Sequence, residues 1–305
     1  MKKSFVTRVK QDFQRHKFKY LIFLPVLIYL ILFCYKPMYG IIIAFQKYRP
    51  SLGIDRSPWV GFDQFERAFS DPFFWRALKN TIVISLLNLL FSFPAPILLA
   101  IALNEVKVSW IKRSIQTLTY MPHFISMVVV CGLLTSYSLS NGLFSRIVQL
   151  FGGEPVNVLA HSKYFYLIYI GSAVWQQVGW NSIIYLAALA GIDQEQYEAA
   201  RIDGASRIQQ MIHVTLPSLI PTISMLLILN LGKVLSVGYE KILLLYQPIT
   251  YEVADVISTY VYRKGLIDAD YSFSTAVNLF NSVVNIIFLL ASNRISKKMG
   301  QSGLF

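Results

Sequence analysis

Charge is the scarcest property of this 305-residue chain: Asp, Glu, Lys and Arg together make up 14% of it, where a soluble domain carries roughly a quarter. Hydrophobic residues make up 55%, and the mean hydropathy is +0.50. That balance excludes an ordinary soluble domain and reads as a membrane protein. Cysteine is nearly absent. Cys34 and Cys131 both lie inside apolar runs, where a thiol packs as a small hydrophobe, so neither a disulfide framework nor a thiolate metal site is expected. The four histidines, His16, His123, His161 and His213, are far apart and form no H-E-x-x-H pair, which leaves metal-assisted hydrolysis without ligands. A phosphate loop is also missing. Its nearest candidate, Gly232-Lys233-Val234, lacks the upstream glycine and the hydroxyl residue. The chain is therefore expected to be no enzyme, to hydrolyse no ATP itself and to carry no cofactor or metal.

The charge that is present is mostly basic, +12 net. In a membrane protein such an excess belongs in cytoplasmic segments beside anionic headgroups, so no nucleic-acid partner is expected. Residues 1–19 hold Lys2, Lys3, Arg8, Lys10, Arg15, Lys17 and Lys19 against Asp12 alone, which predicts a cytoplasmic tail. Uncharged runs long enough to cross a bilayer, about 20 residues, then recur. They predict six transmembrane helices near 20–44, 80–104, 120–137, 164–190, 218–244 and 271–293, with a basic cytoplasmic tail at 294–305. Two basic ends and six spans agree in parity, both termini lying in the cytoplasm. The expected fold is thus an all-α membrane protein with one transmembrane domain over 20–293.

Polar side chains inside the spans cost free energy in lipid unless they face a partner or a water-filled path. The candidates are Trp175, Gln176, Trp180 and Asn181 in span four, Asn230, Lys233 and nearby Tyr239 in span five, and Asn278 and Asn281 in span six. Aromatic faces with amides suit sugar rings, which offer apolar C–H faces and hydroxyl edges. The competing reading is that the amides hydrogen-bond between helices. Lys233 stands apart, because a cation within a span marks a functional site, with Glu240 or a substrate carboxylate as its partner. Glu240 lies seven residues on, roughly 10 Å along one helix, which makes direct pairing awkward.

Between spans four and five, residues 191–217 form the one stretch of polar, helix-forming sequence held between two apolar runs. Asp193 and Gln196 have capping-box spacing, and Gly204 tolerates a left-handed helix end. Ser206 and Gln209 repeat the cap, and Ile208, Met211, Ile212 and Thr215 then share one helical face. The unit reads as helix, glycine turn and a second helix ending near Pro217.

Glu198-Ala199-Ala200, three residues, Gly204, nine residues, Val214, one residue and Leu216-Pro217 is similar to the cytoplasmic EAA loop of permease subunits in binding-protein-dependent ABC importers. Val214 stands where that family usually has isoleucine. Lys36-Pro37-Met38-Tyr39-Gly40, Trp59-Val60-Gly61-Phe62-Asp63-Gln64-Phe65 and Tyr120-Met121-Pro122 extend the resemblance over nearly the whole chain, closest to maltose-transporter-type permeases for complex oligosaccharides. The resemblance implies a half-channel in the bacterial cytoplasmic (inner) membrane that pairs with a second, similar permease, as a heterodimer. It implies two separate ATPase subunits, which hold ATP and Mg, and an extracytoplasmic solute-binding protein that delivers an oligosaccharide, an acidic one if Lys233 meets a carboxylate. Glu198, Ala199, Ala200, Asp203, Gly204, Leu216 and Pro217 become the ATPase-coupling residues. An ion-coupled secondary transporter using Lys233 and Glu240 is the alternative from another class.

Overall fold

The structure is a computed structural model that describes residues 15–298; most of the basic N-terminal tail and the end of the C-terminal tail lie outside the described residues. Among the described residues the chain is almost wholly helical, with no strand beyond one isolated bridge between Gln46 and Trp59. Four helices are long and apolar enough to cross a membrane, or five if a sharply bent pair counts as one. The chain packs as two compact units, one formed by residues up to 68 with 264–279, the other by 69–263 with residues from 280 onward.

The first unit opens with α1, Lys17–Phe45, a continuous helical run whose apolar window has no buried residue. Its end is pinned by aromatic packing, Phe45 stacking on Trp59 at 5.6 Å and meeting Phe65 at 5.4 Å. Helix α2, Asp63–Ser70, follows. Within the same unit Arg67 pairs with Asp270 at 2.9 Å.

The second unit is built around the long helix α8, and the elements reach it in chain order. Pro72–Phe91 (α3) starts where Asp71 accepts from the Phe73 N–H, eight residues ahead of the expected span at 80, and after a two-residue break Pro94–Glu105 (α4) continues it. Ser109–Tyr120 (α5) and Met127–Ser138 (α6) cover the region expected to be one straight span at 120–137. They are instead bent by 95°. Pro122 sits in a tight turn over Met121–Phe124, and Ser126 caps a new helix by accepting from the Val129 N–H at 3.3 Å, so the chain stops and restarts. Leu143–Leu150 (α7) leads to Ser162–Ala190 (α8), 29 residues long, which is not among the helices apolar enough to pass as spans on hydropathy alone. Its Trp, Tyr, Gln and Asn residues lower the mean. It is also the helix other elements bury: Phe165, Ile168 and Tyr169 join one apolar core with Ile84, Leu159 and Ile242, while Tyr185 and Leu189 join another with Ala100 and Leu219. Cys131 is buried in the first of these, as expected, whereas Cys34 is exposed on α1.

Gly179 brings α5 hard against α8. A Cβ there would overlap the Thr119 carbonyl, a backbone atom with no rotamer to yield. Gly179→Leu should therefore push the two helices apart at a cost of about 1–3 kcal/mol or more. Thermal melting of the purified protein reads this, and a wild-type midpoint would show that the crossing tolerates a side chain.

After α9, Gln194–Ile202, the chain forms α10, Arg207–Leu231, as one continuous 25-residue helix. Two expectations fail here. The second helix of the loop does not end near Pro217, and the fifth span does not run 218–244. A wider π-helical segment over Met211–Thr215 precedes Pro217, and this local widening lets the helix pass a residue that cannot donate to the ladder. The helix stops at Leu231, after which residues 232–238 form irregular turns before Tyr239–Leu245 (α11). The freed backbone is caught from elsewhere: Asn285 Oδ1 accepts from the Leu235 N–H at 3.0 Å, and the Ser85 hydroxyl donates to the Val234 carbonyl. Irregular backbone in a membrane domain survives only where protein satisfies it or where it lines a water-filled cavity. Ile257–Tyr262 (α12) and Tyr271–Lys298 (α13) complete the fold, α13 contributing to both units.

Candidate functional site: a polar cavity and an exposed helical loop

Two features of the second unit carry the chemistry. The loop of residues 191–217 is set by local rules. Asp193 accepts from the Glu195 N–H at 3.0 Å and starts α9; Gln196 contributes its backbone N–H to the Asp193 carbonyl rather than a reciprocal side-chain bond. Ser206 and Gln209 form the full capping box, with the Ser206 N–H donating to Gln209 Oε1 at 2.7 Å. Gly204 takes φ +78°, where the Ala205 N–H can reach the Ala200 carbonyl at 2.9 Å and close the helix end. No residue of α9 is buried, and Glu198, Ala199, Asp203 and Gly204 are exposed. Tyr197 is the tether, its hydroxyl 3.0 Å from Thr215 Oγ1. Ile202, 86% exposed, is an apolar side chain with nothing covering it.

The second feature is a cavity of about 450 Å³ between α3, α4, α8, α10 and the irregular turn after Leu231. One stripe of α8, Ala173, Gln177, Asn181 and Ile184, faces it at helical spacing. Asn88 comes from α3, Asn230 from α10 and Lys233 from the turn. Among the described residues lining it, Lys233 is the one carrying charge. Of the substrate-path candidates, Asn181, Asn230 and Lys233 are thus brought together.

The others are not. Gln176 is buried and donates to the Ile125 carbonyl at 3.1 Å, holding the start of α6. Trp175 is exposed on another face of α8, and Trp180 stacks on His123 beside the cavity rather than within its wall. Tyr239 packs on Tyr262 at 5.5 Å. Asn281 keeps its Oδ1 buried without a hydrogen-bond partner, and Asn278 lies exposed in the first unit. Among the described residues no ion pair joins Lys233 to Glu240. Lys233 also does not sit within a helical span but in the break following one, where backbone turns let its side chain reach the cavity.

Two groups lie outside the substrate-path candidates drawn from the sequence. Gln177 lies in the same stripe as Asn181, four residues back, and that spacing was the signal for it. Lys241 is a buried cation: 4% exposed, its Nζ donates to the Tyr169 carbonyl at 2.9 Å and lies 4.9 Å from the Tyr169 ring. Nothing local in the sequence distinguishes its burial from the exposure of Glu240 beside it.

Residues 92–301 match the family model for the inner membrane component of binding-protein-dependent transport systems. The chain belongs to that permease family. The permease is 45% identical over 292 residues to the polygalacturonan/rhamnogalacturonan transport system permease protein YteP of Bacillus subtilis (strain 168), covering 95% of this chain and 91% of that one. It is 44% identical to the protein LplB of the same organism, over 96% and 92% of the two chains. Among solved structures it resembles a chain of a bacterial ABC transporter involved in the import of the acidic polysaccharide alginate, with a TM-score of 0.90, 44% identity and coverage of 96% of this chain and 100% of that one. A second structure of a bacterial alginate ABC transporter, in complex with an alginate pentasaccharide-bound periplasmic protein, matches with the same TM-score and 43% identity over 97% and 100% of the chains. The loop, the α8 stripe, Asn230 and Lys233 of the permease all fall inside the matched family region.

Proposed function

We propose that this permease forms one half of a path across the bacterial inner membrane for an oligosaccharide that carries carboxylates, driven by ATPase subunits on other chains. The observation that carries the substrate class is the cavity: amides and hydroxyls for sugar oxygens, and Lys233 as its one charge. An ammonium facing a cavity without carboxylates on its wall attracts anionic sugar and disfavours cations. Relatives named for polygalacturonan/rhamnogalacturonan and alginate, both acidic polysaccharides, support the same class.

Six spans follow if the four apolar helices are joined by the bent pair α5–α6 and by α8, whose amides and aromatics face protein and cavity rather than lipid. Both termini then lie in the cytoplasm, together with the loop of residues 191–217. That loop is the coupling helix, docking Glu198, Ala199, Ala200, Asp203 and Gly204 into a cleft of an ATPase subunit that holds ATP and Mg, with Leu216 and Pro217 leading into the span. A second, homologous permease closes the path, and an extracytoplasmic binding protein loads it. The complex with a periplasmic protein reported for the alginate transporter supports that last partner. Alternating access moves the sugar.

Lys233→Gln should weaken binding of a uronate oligosaccharide to the assembled transporter by about tenfold, the effect of removing one charge-assisted hydrogen bond, and leave a neutral oligosaccharide nearly unaffected. Equilibrium binding to the purified complex measures both. An undiminished preference for the acidic sugar would take Lys233 out of the site. ATP-independent transport by the purified chain alone in liposomes would overturn the ABC mechanism itself.

A further inference from the structure

The oxygen of Gln177, on the cavity-lining stripe of α8, is already engaged. His123 Nδ1 lies 3.0 Å from Gln177 Oε1. An amide oxygen only accepts, so in this arrangement Nδ1 carries the hydrogen and the imidazole is the donor. The imidazole is itself held flat. It stacks on the Trp180 indole with ring centroids 4.4 Å apart and planes 1° from parallel, and Phe124 meets the same indole edge-on at 5.5 Å. Trp180 is three residues beyond Gln177 on α8, so the helix presents amide and indole side by side to the turn that carries His123. With the oxygen tied to the imidazole, the two amide hydrogens are the polar groups that Gln177, a residue of the cavity wall, has left to offer.

We propose that His123 is a positioning residue for the transport path: by capturing the Gln177 oxygen it turns the Gln177 N–H donors inward, where they bind an oxygen of the passing oligosaccharide. The inference rests on the reading of this cavity as the sugar path. It adds that the bend between α5 and α6 has a chemical consequence. Pro122 and the cap at Ser126 place His123 at the corner, and a straight helix through 120–137 would carry the ring elsewhere along α8. Gln177 then acts with Lys233 as a donor, and the two together suit acceptor-rich sugars such as uronates.

The test is binding of a fluorescent oligogalacturonate, and of a neutral maltooligosaccharide of equal length, to the purified complex of permeases and ATPases held with ATP and vanadate. His123→Phe keeps a ring for Trp180 but deletes the donor, and should weaken oligogalacturonate binding roughly 3- to 10-fold, the worth of one neutral hydrogen bond. His123→Asn, whose amide N–H lies near the Nδ1 position, should restore most of that loss. Gln177→Glu keeps an acceptor for His123 but shows the cavity an oxygen, and should bind oligogalacturonate more weakly than His123→Phe does. Unchanged binding by His123→Phe overturns the inference, and so does an asparagine variant as weak as the phenylalanine one, since that would make the ring's packing the whole of its role. If either His123 variant fails to assemble, Gln177→Met removes the donors without disturbing the stack; unchanged binding would overturn the inference equally. Should the wild type bind the neutral sugar as tightly as the acidic one, the acidic substrate reading falls, while the loss on His123→Phe, read with the neutral sugar, still decides the role of His123.

Discussion

Cells that depend on this permease should lose oligosaccharide uptake entirely when Glu198 is replaced by lysine, or Gly204 by proline, with the chain still inserted in the membrane. The two changes reach the same outcome by different routes. Glu198 is exposed on a helix with no buried residue, so reversing its charge has little folded-state cost, within about 0.5 kcal/mol for such surface changes. Lost uptake would then report a lost partner surface. Gly204 sits at φ +78°, and its N–H bonds to the Arg201 carbonyl at 3.0 Å. Proline fixes φ near −65° and has no N–H, so it destroys the turn that sets α9 against α10. Gly204→Ala is the control: a Cβ there meets nothing within 4 Å, and the cost is only the left-handed backbone, about 1–2 kcal/mol. Uptake assays with membrane-fraction blots separate these cases. Normal transport by both Glu198→Lys and Gly204→Pro would end the assignment of this loop as the coupling element.

The second large effect is one of stability, and it lies in the segment that links α11 to α12. Asp255 is fully buried and accepts from Arg263 at 2.6 and 3.2 Å and from Thr259 Oγ1 at 2.9 Å. Around it, Asn80 Nδ2 donates to the carbonyls of Glu252 and Asp255 at 2.9 Å each, and Thr81 Oγ1 accepts from the Ile257 N–H. Tyr260 donates to Asp71 at 2.5 Å, and burial, then that hydrogen bond, push its phenol far above the ordinary tyrosine value, so it stays a donor at every working pH. The segment is thus tied to α3 by polar groups as well as by the apolar packing of Ala254 and Val256 with Ile84. Asp255→Ala strands the guanidinium of Arg263 and should cost about 3–5 kcal/mol. The pair Asp255→Leu with Arg263→Met removes both charges and should melt above either single variant. A double variant less stable than both singles would show that the hydrogen bonds, rather than the stranded charge, dominate.

What the sequence disclosed follows the range of the forces involved. Asp193, Gly204, Ser206 and Gln209 act within a few residues, so the loop could be read almost to its atoms; its far end, hidden by Pro217, and the side-chain half of the first capping box were misplaced. Uncharged runs located the helices because lipid imposes one solvent along each. Their breaks were another matter. That the chain leaves its helix at Leu231 depends on Asn285, 50 residues from Leu235, and on Ser85, 149 residues from Val234, both of which accept or supply hydrogen bonds that no local pattern announces. Lys233 stands out in the sequence by its charge, and the structure places it in a break rather than within a helical span. On α8 each residue turns about 100° from the last, so choosing Gln176 over Gln177 moved the amide from cavity wall to helix packing. Periodicity alone could not choose, because Trp and Gln occur on several faces of that helix.

The unbroken run of α10 gives the molecule a stiff rod. It starts at the Ser206 cap, beside the exposed loop, and near its other end it carries Leu226 and Asn230 into the cavity. At 1.5 Å per residue the rod is roughly 37 Å long, and a tilt of about five degrees about one end swings the other by roughly 3 Å, close to the width of a hydroxyl. Had the helix ended at Pro217, a hinge would have absorbed that motion. Instead, a displacement of the loop carries through to Leu226 and Asn230 at the cavity wall.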